Sequence, residues 1–145
     1  MKRALVTGGC GFIGSNLTKE LVKQGWQVDV VDDMSNGHID LLDGLKLRIL
    51  MNGSFFTAYK MQDFERMQDE VILIQDDFAD DNVLSGVYKG FYDVIFHQAA
   101  VPRVSYSVEE PWHTTHVNIS KTVRLFEAAR NAVDRIVWAS SSSVY

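Results

Sequence analysis

Three glycines stand at a spacing that makes room for phosphate. Gly8, Gly11 and Gly14 form a Gly-x-x-Gly-x-x-Gly run directly after the apolar stretch Ala4-Leu5-Val6-Thr7. A side chain in such a turn keeps the backbone away from a pyrophosphate, and a Cβ at the third glycine holds helix and strand apart. A helix beginning there offers unpaired N–H groups and a partial positive charge to an anion. Asp32 follows 18 residues after Gly14, at the end of Gln27-Val28-Asp29-Val30-Val31. A carboxylate in that position accepts hydrogen bonds from an adenosine ribose and repels a 2′-phosphate, so NAD is favoured over NADP. Asp33 adds a second carboxylate beside it. A lone glycine pattern is weak evidence; a strand before it, a helix after it and an acid at this distance make it specific.

Other chemistry-bearing residues read more plainly. His113 and His116 are three apart, a spacing that can bind metal, but no third ligand is evident and no metal is expected. His97 reads as a packed residue at a strand end. Cys10 lies in the glycine turn, where a helix N-terminus can activate a thiol. It is read instead as a small residue fitting beneath a cofactor.

The elements that must hold these residues follow from hydrophobic periodicity. Residues 3–7 read as a strand, and residues 12–24 as a helix with Ile13, Leu17 and Leu21 on one face and Gly25 closing it. Residues 27–32 read as the next strand, so a parallel crossover results. Residues 33–70 read as a long helical connection, with Phe56, Phe64 and Met67 in a helical stretch at 55–70. Strands are expected at 71–75, 93–97 and 135–140. A short helix is expected at 80–88 with Val83, Leu84 and Val87 inward. A long one is expected at 111–131, opened by Pro111, with Trp112, Ile119, Val123 and Phe126 inward. About five strands separated by helices predict an α/β fold, a doubly wound parallel sheet of Rossmann type, over residues 1–145.

Composition agrees. In 145 residues, 46% hydrophobic and 23% charged, there is enough apolar surface for one core and too much for a disordered chain. One cysteine cannot form an internal disulfide. The net charge of −5 argues against nucleic-acid backbone binding. No apolar run approaches a membrane span, and the N-terminal run is too short for a signal peptide, so a cytoplasmic protein is expected.

Further segments recur in a fixed order: Thr7-Gly8-Gly9-Cys10-Gly11-Phe12-Ile13-Gly14-Ser15-Asn16-Leu17; Val31-Asp32-Asp33 with Ser35-Asn36-Gly37; and Asp76-Asp77-Phe78. After these come His97-Gln98-Ala99-Ala100, Ser107 with Pro111, Asn118, and Ala139-Ser140-Ser141-Ser142-Ser143-Val144-Tyr145. With them the chain resembles the extended short-chain dehydrogenase/reductase family, and within it the NAD-dependent nucleotide-sugar epimerases and dehydratases. The resemblance spans the whole chain and matches the N-terminal part of such an enzyme, with the last strands and the substrate domain beyond it.

The resemblance implies roles. Phe12 and Ile13 supply turn amides to the pyrophosphate, Asn36 and Gly37 flank the adenosine, and Asp77 accepts the adenine amine with Phe78 beside it. Ala99 and Ala100 line the cofactor, Asn118 is a supporting residue, and Ser141 hydrogen-bonds the reacting sugar hydroxyl. In such enzymes the tyrosine of a Tyr-x-x-x-Lys pair takes the proton from the sugar 4-hydroxyl while hydride passes to the nicotinamide and returns to the other face. No Tyr-x-x-x-Lys occurs in these 145 residues, and Tyr145 belongs by position to the preceding Ser-Val-Tyr segment. The chain alone is therefore expected to be inactive, and a catalytically silent NAD-binding module is the alternative.

Two departures shape the expected substrate. Dehydratases usually carry an acidic pair where Ser142 and Ser143 stand, so epimerase is preferred over dehydratase or decarboxylase. The segment around Tyr106 and Pro111 is similar to that of UDP-glucuronate 4-epimerases, but Ser105 stands where arginine is common, leaving UDP-hexose and UDP-hexuronate both open. A complete family member is expected to dimerise. Its pairing uses the long helix together with the helix carrying Tyr-x-x-x-Lys, and this chain has only the first.

Overall fold

Ala4, Leu5, Val6 and Thr7 are completely buried, which puts β1 (Arg3–Thr7) at the centre of the structure. The computed structural model describes residues 1–51, 66, 67, 69–141 and 144. Around β1 are β2 (Gln27–Asp32), β3 (Lys46–Met51), β4 (Glu70–Gln75), β5 (Val94–His97) and β6 (Arg135–Trp138). They form one sheet in the order β3-β4-β2-β1-β5-β6, and every pair is parallel. The helices are α1 (Phe12–Lys23), α2 (Asp81–Tyr88), α3 (Val104–Glu109), α4 (Pro111–Thr115) and α5 (Thr122–Ala129), with a π-helical segment, His116–Lys121, joining the last two.

Period-two alternation sorts the strand residues onto two faces. Ala4, Val6, Val28, Val30, Val71 and Leu73 pack on one side with Leu21 of α1. Leu5, Val31, Ile72, Ile74 and Ile95 pack on the other with Val83, Leu84 and Val87 of α2 and Leu125 and Ala128 of α5. Two local signals fix helix ends. Gly25 takes φ +80° after α1, and the Asp80 carboxylate caps α2 by accepting from Asn82 N at 2.8 Å.

Three expectations need correction. The sheet has six strands, because β3 lies inside the stretch read as a helical connection. Its inner residues Leu47 and Leu50 are half-buried, and Lys46 and Arg48 pair with Asp69 and Glu70 across the edge. The inward face of the 111–131 helix is also different. Trp112, Ile119 and Val123 are exposed, while Thr122, Leu125, Ala128 and Ala129 are buried; of the expected face only Phe126 packs on the core. A π turn advances the chain by more residues per turn than an α turn, so it shifts the face that a constant 3.6 period predicts. On α1 the inward face is Gly14, Ser15, Thr18 and Leu21, with Ile13 exposed. Phe56 and Phe64 lie outside the described residues; Met67 is exposed.

A buried charge sits in the first half of β2. Asp29 accepts from Arg66 Nη1 at 2.6 Å and from the Tyr92 hydroxyl at 3.0 Å, and Arg3 lies 3.5 Å away. Arg66 also bonds the carbonyls of Val28 and Glu70. An Asp29→Ala change strands that guanidinium and is expected to cost about 3–5 kcal/mol in urea unfolding, whereas Tyr92→Phe should cost only about 1 kcal/mol.

Candidate cofactor-binding site

Parallel strands deliver all their following loops to one edge, and the chain reverses its direction of winding between β1 and β5. A crevice opens at such a switch point. Here it is a cleft of about 350 Å³. Its walls come from five places: the glycine turn (Gly8, Gly11, Phe12), the end of β2 and the segment after it (Asp32, Asp33, Ser35, Asn36, Gly37), Phe78 after β4, residues 98–102 after β5, and the helical residues His113, Val117 and Lys121. Of the residues singled out from sequence, ten therefore line one cleft: Gly8, Gly11, Phe12, Asp32, Asp33, Asn36, Gly37, Phe78, Ala99 and Ala100.

The others lie around it. A Cβ on Gly14 would stand 2.2 Å from the Gly8 carbonyl oxygen, so this position holds the helix against the turn. Ile13 is exposed on the first turn of α1. Asn118, in the π segment, accepts from Val101 N at 2.8 Å and donates to Val101 O at 3.0 Å, fixing the wall after β5. Asp77 sits in an adjoining recess, bonded to Lys121. Ser141 is exposed after β6 and does not line the cleft. Ser142, Ser143 and Tyr145 are outside the described residues.

At the centre of the cleft the Asp32 carboxylate joins two loops. One oxygen accepts from Cys10 N and the other from Met34 N, both at 2.9 Å. The second bond holds Met34 at φ 62°, a left-handed conformation rare outside glycine. A Cβ on Gly37 would lie 2.6 Å from Asp32 Oδ1, so only glycine lets the loop close over the carboxylate. Burial raises the Asp32 pKa above the ordinary carboxylate value, and the neighbouring charge of Asp33 adds to this against the two amide bonds. The Cys10 thiol is buried and pushed up to about 12, first by burial and then by Asp32, so it is a turn residue and not an activated nucleophile.

Residues 4–145 match the NAD dependent epimerase/dehydratase family. The chain belongs to this family. Among curated relatives, a UDP-glucose 4-epimerase of Neisseria meningitidis serogroup C is 34% identical over 100% of this chain and 38% of its own length. A UDP-N-acetyl-alpha-D-glucosaminuronate decarboxylase of Bacillus cytotoxicus is 30% identical over 99% of the chain and 38% of its own. Among solved structures, the UDP-glucose-4-epimerase of Stenotrophomonas maltophila, with bound NAD and formylated UDP-arabinopyranose, superimposes with a TM-score of 0.75. It is 26% identical and covers 100% of this chain and 38% of that one. The chain thus spans less than two fifths of the length of these relatives.

NAD, the family's cofactor, fits the cleft. No side chain caps α1, and its first turn carries no acidic residue, so the amides preceding the Ser15 N to Gly11 O bond face an anion without competition. The Asp32 carboxylate stands beside them. Among the described residues no group of three or more His, Cys, Asp or Glu could hold a metal. His113 meets Tyr106 edge-on, while His116 stacks on Trp112, so the two imidazoles have separate environments. Glu70 is buried against Arg48.

Sequence reading missed the helix side of this family member's cleft. His113, Val117 and Lys121 line it at four-residue intervals, a helical spacing that was available but carried no sign of which face meets the sheet edge.

Behind the wall, hydrogen-bond counting fixes a tautomer. Thr7 Oγ1 accepts from Gln98 N and Ala99 N at 3.2 and 3.1 Å, leaving its own hydrogen to donate to His97 Nδ1 at 2.7 Å. His97 Nε2 then carries the proton and donates to Thr122 Oγ1 at 3.0 Å. Burial lowers the His97 pKa to about 4. The unfolded chain, with an ordinary value near 6.5, takes up a proton that the folded chain refuses. The stability that neutral His97 contributes is fully present above about pH 6.5 and is lost progressively toward pH 4, by roughly 3 kcal/mol. Urea unfolding across that range should show this slope, and His97→Gln should flatten it.

Proposed function

We propose that these residues form the cofactor-binding portion of an NAD-dependent enzyme that epimerises C4 of a nucleotide sugar, a UDP-hexose or UDP-hexuronate. The observation that carries this reading is the Asp32 carboxylate held beside the uncapped first turn of α1 inside one cleft. It puts an acceptor for ribose hydroxyls next to a seat for phosphates. In this reading the Phe12 and Ile13 amides hold the pyrophosphate, with Gly8, Gly11 and Gly14 giving it room. Asp32 takes the ribose, Asp33, Asn36 and Gly37 flank the adenosine, and Asp77 and Phe78 meet the base. Ala99 and Ala100 run along the nicotinamide half, with Asn118 keeping that wall in place, and Ser141 serves the sugar hydroxyl. NAD, when bound, supplies the oxidising centre that accepts and returns hydride. Relatives whose names carry UDP-sugars support a nucleotide-sugar substrate. The Bacillus cytotoxicus relative favours a decarboxylase on the same substrate class as the second reading.

The sequence supplies no Tyr-x-x-x-Lys to take the 4-hydroxyl proton, so these 145 residues alone should bind NAD without converting UDP-glucose or UDP-glucuronate. Fluorescence titration is expected to show NAD binding more tightly than NADP. Asp32→Ala should weaken NAD about tenfold or more and bring the two ligands closer together, because an ionised acceptor and its repulsion are both lost. Equal affinity for NAD and NADP in the unaltered chain would sink the Asp32 assignment. Since Asp32 is raised above its ordinary pKa, NAD affinity should fall on acidification before the ordinary carboxylate range is reached.

A further inference from the structure

Two of the side chains lining the cleft are basic, His113 and Lys121. Lys121 is already bonded to Asp77 in the adjoining recess. Among the described residues neither ring nitrogen of His113 has a hydrogen-bond partner; its imidazole meets the Tyr106 ring edge-on, with centroids 6.1 Å apart. His116, one turn further on, stacks on Trp112 and lines the recess, so the helix turns one of these two imidazoles to the cleft. Asn118 sets where along the cleft that imidazole stands. Its two bonds to Val101 pin the π segment to the backbone after β5, and His113 lies five residues earlier, little more than one helical turn. Lys121 is eight residues further on, roughly 10 Å along the helix axis and on the side of Phe78.

What His113 meets follows from the proposed cofactor reading, on which the inference rests. With the phosphates at the first turn of α1 and the nicotinamide half along Ala99 and Ala100, the group passing His113 is the phosphate nearer the nicotinamide. We propose that His113 is a cofactor-binding residue whose imidazole N–H donates to an oxygen of that phosphate. The amides of α1 approach the pyrophosphate from the glycine turn, and a pyrophosphate has more anionic oxygens than one helical turn can meet. His113 supplies a further donor from the helix wall. An imidazole keeps at least one N–H whether neutral or protonated, so the contact survives in either state, and a donor to an anionic oxygen makes a strong bond. The Tyr106 ring restricts the imidazole before the ligand arrives, which lowers the entropy lost on binding.

Four ligands that grow along the dinucleotide test this: AMP, ADP, ADP-ribose and NAD, titrated calorimetrically into the unaltered protein and into His113→Phe, which keeps a ring against Tyr106. The variant should leave AMP within about twofold and weaken ADP, ADP-ribose and NAD by about tenfold, the size of one hydrogen bond to a charged group. His113→Gln, which returns an N–H donor, should recover most of that loss. His113 is exposed, so both variants are expected to melt with the unaltered chain. A loss confined to ADP-ribose and NAD would put the contact on the ribose and overturn the phosphate assignment. An equal loss for all four ligands, or none for any, would overturn the inference while cofactor binding stands. Failure of the unaltered protein to bind NAD would overturn the cofactor reading, and the inference with it.

Discussion

The Asp32 carboxylate ties the glycine turn to the loop after β2, and the geometry of the cleft depends on that tie. Its two amide bonds reach Cys10 and Met34 from one side chain. Without it, the turn and the loop would meet as two backbone segments with unpaired donors. The same group is asked to serve as structural acceptor and ribose acceptor. A carboxylate can do both because its two oxygens offer about four lone-pair directions, and the amides use only two. Gly37 makes the arrangement compact, since any side chain there would press on the same oxygens. The raised pKa of Asp32 is the cost of placing this acceptor where water is scarce.

A second tie runs behind the first. Thr7, at the end of the buried strand β1, organises the backbone after β5 through Gln98 and Ala99 and reaches α5 through His97 and Thr122. The wall of the cleft is therefore hung from the sheet interior and not from solvent-exposed loop contacts. Asn118 adds a two-point attachment from the π segment to Val101. Rigid placement of this kind suits a site that must hold a long dinucleotide in one register.

Much of the site was legible because its residues are contiguous with the strands that position them. Gly8 and Gly11 follow β1 by a few residues and Asp32 ends β2, so reading those two strands located them, whereas Gly37 came with the family resemblance. β3 escaped because it is a short edge strand, with charged Lys46 and Arg48 interrupting its apolar residues and only Leu47, Arg48 and Leu50 partly buried. Lys121 and His113 escaped for another reason. They sit far along the chain from the glycine turn, and only tertiary packing brings their helix over the cleft. The helix face itself was misread because the period was assumed constant. Trp112, Ile119 and Val123 fit an uninterrupted α-helix, and the π segment breaks that assumption between Thr115 and Thr122.

The position of β1 in the sheet has a consequence for biosynthesis. Of the six strands this one is synthesised before the other five, yet one of its two neighbours, β5, begins only at Val94. The unit β1–α1–β2 can pair as soon as it leaves the ribosome, and it already contains the glycine turn and Asp32. At roughly 5–20 residues per second, the opposite wall and Lys121 emerge on the order of ten seconds later. During that interval the buried side of β1 that belongs to β5 is uncovered, with a row of unsatisfied peptide groups along it. The phosphate turn is thus built early and closed late, and a nascent chain paused between Asp32 and Val94 would present an open sheet edge to chaperones or to another copy of itself.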